Sequence, residues 1–181
     1  KQLRRSRVAY RPQKHDSVIY DNRLHVLRIN AQTLGEKDLY RESFGKVLFG
    51  EAEHFPGGDI YTLAPLRRGA GAMRLVAGIE SVRLTEVWIE VDNDQHFVQI
   101  SKAYNLMDSI TQYSRPNLAE GRLVRASFLI KYSSGGRPRK LELRPPNIAI
   151  YDRDRDGEPA EAFMRANLYL KLEAGNDGRR A

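Results

Sequence analysis

Arg122-Leu-Val-Arg-Ala-Ser-Phe-Leu-Ile-Lys-Tyr132, Ser133-Ser-Gly-Gly136 and Arg137-Pro-Arg-Lys-Leu-Glu-Leu-Arg144 decide the fold. Val124, Ala126, Phe128, Ile130 and Tyr132 alternate with mostly polar residues, which gives a strand one apolar face. Gly135 and Gly136 can take positive φ at little cost, so the chain can reverse there. Leu141 and Leu143 then resume the alternation. The reading is a β-hairpin that buries Phe128 and its row and turns Arg125, Lys131, Lys140 and Arg144 to the opposite face.

Working outward, residues 79–100 repeat the period of two. Val82, Leu84, Val87, Trp88, Ile89 and Val91 are followed by Asp92-Asn93-Asp94, and Phe97, Val98 and Ile100 run back as a second hairpin. Ser101 is a helix N-cap candidate, with Ala103, Leu106, Met107 and Ile110 at helical spacing until Arg115-Pro116. After the central hairpin, Glu158-Pro159 is expected to open a last helix with Phe163, Met164, Asn167 and Leu170 or Lys171 facing inward. Upstream, Val18–Tyr20 and Leu24–Ile29 read as strands around Asp21-Asn22, the second well buried. Tyr40, Phe44, Val47 and Leu48 mark one face of a helix over 35–49 that Gly50 ends. Residues 51–78 form the longest loop region, with Ile60–Leu63 as a short strand inside it. Strands grouped in hairpins imply an antiparallel sheet with about three helices packed on it, a single α+β domain over 18–174. Residues 1–17 read as a basic flexible arm and 175–181 as a disordered tail.

The net charge of +7 invites a nucleic-acid reading. Six of those charges fall in residues 1–14 and one in residues 175–181, so the body is neutral. A neutral body lacks the broad positive field that steers a fold onto DNA. One basic island remains: residues 120–144 carry Arg122, Arg125, Lys131, Arg137, Arg139, Lys140 and Arg144 against Glu120 and Glu142. No apolar run reaches the ~18 residues of a membrane span, and no apolar stretch follows the basic start to make a secretory signal. The absence of cysteine excludes disulfides and thiolate metal sites. A cytoplasmic location and no membrane partner are expected.

Asp152-Arg-Asp-Arg-Asp-Gly157 matches the first half of a calcium loop, making Asp152, Asp154 and Asp156 metal candidates. The bidentate acid the loop needs at its twelfth position falls on Phe163, and the run equally suits a helix N-terminus. His15, His25, His54 and His96 show no metal-ligand spacing. Glu86 and Glu90 share a strand face and could do acid–base or metal chemistry, or be a solvated face. Arg67-Arg-Gly-Ala-Gly71 could cradle phosphate but lacks the rest of a P-loop. Trp88, Phe128 and Tyr132 read as core rather than stacking platforms.

The residues favour a non-catalytic binding or regulatory domain of a larger bacterial protein, with no cofactor. A protein or anionic partner would meet the long loop and the basic hairpin at Arg125, Lys131, Arg137, Arg139, Lys140 and Arg144. The first alternative is a nucleic-acid-binding module using the same cations. The second is a metal-dependent enzyme using Glu86 and Glu90.

Overall fold

The computed structural model describes residues 15–22, 26–55, 58–92 and 97–171. The readings made for residues 1–14, for the tail and for His25 and His96 lie outside them. The chain divides into two compact units, residues 1–57 and 58–181.

In the first unit, β1 (Ser17–Asp21) pairs antiparallel with β2 (Val26–Asn30), placing Val18 opposite Ile29 and Tyr20 opposite Leu27. β2 is only half-buried, not well buried as its composition suggests. α1 (Leu34–Phe49) opens on a capping box, in which Thr33 accepts from Glu36 N–H and Glu36 from Thr33 N–H. It closes on Gly50, whose φ of 78° is left-handed. Tyr40 and Phe44 face inward as their spacing predicts, but Val47 is 81% exposed. Its place on the covered face is taken by the buried Gly45, where a side chain would meet the Glu51 carbonyl. Phe49 stacks flat on His54 with ring centres 3.7 Å apart, and Tyr20 and Phe55 pack edge-on around them.

The second unit holds a five-stranded antiparallel sheet in the order β4-β3-β5-β6-β7. The strands are β3 (Ile79–Asp92), β4 (Phe97–Lys102), β5 (Arg122–Tyr132), β6 (Arg139–Arg144) and β7 (Ile148–Ile150). The α+β class, with an antiparallel sheet built from hairpins, is what the alternation implied. Gly135 and Gly136 turn β5 into β6 at φ of 83° and 87°. Leu84, Val87, Ile89, Ala126, Phe128, Ile130, Leu141 and Leu143 form one fully covered face. α3 (Arg153–Ala166) lies on it through Ala160, Phe163 and Met164, and Phe128 sits 5.7 Å from Phe163 and 5.3 Å from Tyr169. Burial raises the Tyr169 phenol above its ordinary pKa; its hydroxyl donates to the Ala72 carbonyl at 2.8 Å. Buried Asn167 exchanges hydrogen bonds with the Arg74 backbone and donates to Phe163 O, so the turn after α3 is stitched to the segment before β3.

Four local expectations change. β4 runs on through Ser101 to Lys102, and the helix α2 (Leu106–Tyr113) is capped by Asn105 rather than Ser101. α3 begins six residues before Pro159, capped by Asp152 accepting from Arg155 N–H, so Pro159 stands inside the helix. The long loop contains a 3-10 helix, Ala64–Ala72, and its expected strand shrinks to a bridge between Tyr61 and Leu170. Register shifts near Thr85 and Val124 change which residues face inward. Leu123 pairs with Ile89 and is buried in place of Val124. Val87 rather than Glu86 follows Leu84 into the core, which turns Trp88 to the opposite face.

Candidate binding face

Strand alternation and the register put one set of side chains on the sheet face opposite α3. β4 contributes Val98, Ile100 and Lys102; β3 contributes Arg83, Glu86, Trp88 and Glu90. β5 adds Arg125, Ser127 and Lys131, β6 adds Lys140, Glu142 and Arg144, and β7 adds Ile148 and Ile150.

Glu142 is the centre of this face. Only 2% of it is accessible, and Ser127 opposite it is equally covered. Arg125 Nη2 lies 2.8 Å from Glu142 Oε2, Arg144 Nη2 lies 2.5 Å from Oε1, and Lys140 Nζ also meets Oε2. Burial alone would raise its pKa. The hydrogen bonds from Lys140 and Arg144 and the charge of Arg125 outweigh that, so its carboxyl sits below the ordinary range. Glu86 repeats the design one strand away. Burial opposes its ionisation, while hydrogen bonds from Trp88 and Lys102 and the Arg125 charge lower its pKa overall. Arg125 bridges the two acids, at 3.5 Å from Glu86, and its guanidinium carbon lies over the Trp88 ring at 4.6 Å. Arg122 holds Glu90 at 2.7 Å.

Lys102, Arg122, Arg125, Lys140 and Arg144 thus face Glu86, Glu90 and Glu142, five cations against three carboxylates. The acids are covered while Arg122, Lys102 and Lys140 stay mostly exposed. Exposed Val98 and Ile100 border it on the β4 side, and Ile148 and Ile150 on the β7 side. Arg83 lies over the exposed Tyr104 ring at 3.8 Å.

The six cations singled out in the sequence divide. Arg125, Lys140 and Arg144 meet on this face around Glu142. Lys131 shares the face but donates to Gly136 O at 3.0 Å. Arg137 is exposed in the turn, with no carboxylate at ion-pair distance among the described residues. Arg139 points to the other side: it pairs with Ile130, lies over Tyr132 and grips buried Asp156 with Nε at 2.6 Å. Burial, reinforced by the Asp156 charge, pushes the Tyr132 phenol up to about 12. The Asp152, Asp154 and Asp156 set is likewise separated, since Asp152 caps α3 and Asp156 holds Arg139. Arg67 and Arg68 of the loop fasten the chain to itself, Arg67 on the Leu118 and Gly121 carbonyls and Arg68 on Asn167 O. Beside Arg67 a cleft of about 220 Å³ opens between Leu63, Arg122, Leu123 and Pro145.

Trp88, Lys102 and the central role of Glu142 escaped the sequence reading. Their common signal is the register between β3, β4 and β6, which puts Lys102 opposite Glu86 and Glu142 opposite Ser127. Among the described residues no helix is long and apolar enough to cross a membrane, and no group of three or more acidic or histidine side chains converges to hold a metal. No protein-family model, curated protein or solved structure matches the chain.

Proposed function

We propose that this chain is a non-catalytic binding domain of a larger protein and that the sheet face around Glu142 takes an acidic protein partner. The observation that supports this is the excess of cations over carboxylates on that face, bordered on both sides by exposed aliphatic residues. Positive charge would choose an acidic partner and set the encounter rate, and the aliphatic borders would add contact that a phosphate backbone does not use. Glu86 and Glu90 are already engaged by Lys102, Arg125 and Arg122, which leaves the enzymatic alternative less support.

Trp88 is the chain's one tryptophan and sits on the face, so its emission reports on an occupant. The test is titration with poly-L-glutamate and with duplex and single-stranded DNA and RNA at two salt concentrations. The chain used lacks residues 1–14, because that arm carries +6 and would bind polyanions on its own. Polyglutamate should perturb Trp88, and an Arg144→Glu, Lys140→Glu variant should abolish the response. Binding of oligonucleotides alone, weakening steeply with salt, would replace this reading with the nucleic-acid one. Silence toward every polyanion would remove both.

A further inference from the structure

β4 and β7 are the two edges of the five-stranded sheet, and they are built differently. β7 is three residues long and follows Pro145-Pro146. A strand so short, beside prolines that cannot donate, gives another chain little to pair with. β4 is six residues long, Phe97-Val-Gln-Ile-Ser-Lys102, with neither proline nor charge before Lys102. Phe97, Val98, Gln99 and Ile100 are all exposed, and among the described residues β4 pairs with β3 alone. Ala103 N–H donates to Thr85 O at 3.1 Å, which fixes the alternation. Gln99 and Ser101 turn their backbone groups to β3, and Val98, Ile100 and Lys102 turn theirs to the free edge.

We propose that β4 is a self-association edge on which two copies of the chain pair β4 against β4, antiparallel, about a twofold axis through Ile100. In that register Ile100 meets Ile100 and Val98 meets Lys102 of the other copy, so every outward N–H of these residues finds a carbonyl. Ile100 and Val98 project on the same face, so the contact along the axis is aliphatic. The two Lys102 ammonium groups stand at opposite ends of the pair, each still 3.2 Å from its own Glu86. The stem of each Lys102 lies across Val98 of the other copy. A twofold axis is the symmetry under which one strand can be its own complement.

Sedimentation velocity on the 181-residue chain over a concentration series tests this. Dimer should grow with concentration. Ile100→Lys places two like charges against each other on the axis and should leave only monomer, with a melting curve matching that of the dilute, monomeric parent because Ile100 is exposed. Ile148→Lys, on the other edge, should dimerise like the parent. The chain has no cysteine, so Ile100→Cys with a mild thiol oxidant should give one disulfide-linked dimer, whereas Ile148→Cys should not. A parent that stays monomeric at the highest attainable concentration overturns the proposal. So does an Ile100→Lys chain that still dimerises.

Discussion

Ser127 and Phe128 are neighbours on β5, both all but fully covered, on opposite faces of one sheet. Phe128 is covered by Phe163 and Tyr169, which another part of the chain brings to it. Ser127 lies beneath the stems and head groups of a charge network rooted in the sheet's own strands. The first face is held by exclusion of apolar area from water. The second is held by carboxylates that cations surround closely enough to stay ionised while covered. Near-complete burial therefore carries two meanings here, and only the α3 side is a hydrophobic core.

The sharpest way to break that contrast is Phe128→Ala, which should cost roughly 3–5 kcal/mol in denaturant unfolding. An unchanged melt would mean that β5 does not present Phe128 to α3. Asp156→Ala comes next, because it leaves Arg139 without its carboxylate against the Tyr132 ring. Its cost should fall somewhat below the ~3–5 kcal/mol of a fully buried broken pair, since Arg139 keeps some contact with water.

Glu142→Gln should cost about 1.5–3 kcal/mol at neutral pH, the value of hydrogen bonds to a charged group. Glu142 and Glu86 have folded pKa values below the ordinary 4.5, so the folded state binds fewer protons than the unfolded one. Their contribution is complete above that value and is lost as pH falls from it through the lower folded pKa values. The parent should thus lose more stability than Glu142→Gln on going from about pH 6 to about pH 3. Equal losses would show that the opposite face is not held by ionised Glu142. The smallest effect expected is none: calcium or chelator should not move the melting temperature, because Asp152 and Asp156 already serve as cap and ion-pair partner.

Much of the α3 face was legible, because Phe128, Ile130, Leu141 and Leu143 repeat with period two and need only a local rule. The errors gather where one extra residue breaks the count. Trp88 was read as core beside Val87 and Ile89, and only the register with β5 shows that Val87 and Ile89 face α3 while Trp88 joins Glu86 on the other side. α3 was placed too late because Pro159 fits a first turn, although the bond that opens the helix, from Arg155 N–H to Asp152, is local and lies in the acidic run that equally suited a helix N-terminus. The charged face around Glu142 was legible as a list of cations but not as an arrangement. Arg139 and Lys140 are adjacent in sequence, yet one serves Asp156 beneath the sheet and the other Glu142 above it.

The irregularity at Thr85 has a further meaning for how this gene can change. Leu84 and Val87 both face α3, so two residues stand between them where a regular strand allows one. Loss of the Thr85 codon would leave Leu84, Glu86, Val87 and Trp88 in clean alternation, every side chain still on its present face. It would forfeit the Thr85 bonds to Ser127 O and Ala103 N–H and little else. Loss of Leu84 would also take up the extra residue but would draw the polar Thr85 into its place opposite Phe128, and loss of Val87 would draw Glu86 into the covered face. Among single-codon deletions across the middle of β3, lineages should therefore tolerate the one at Thr85 best.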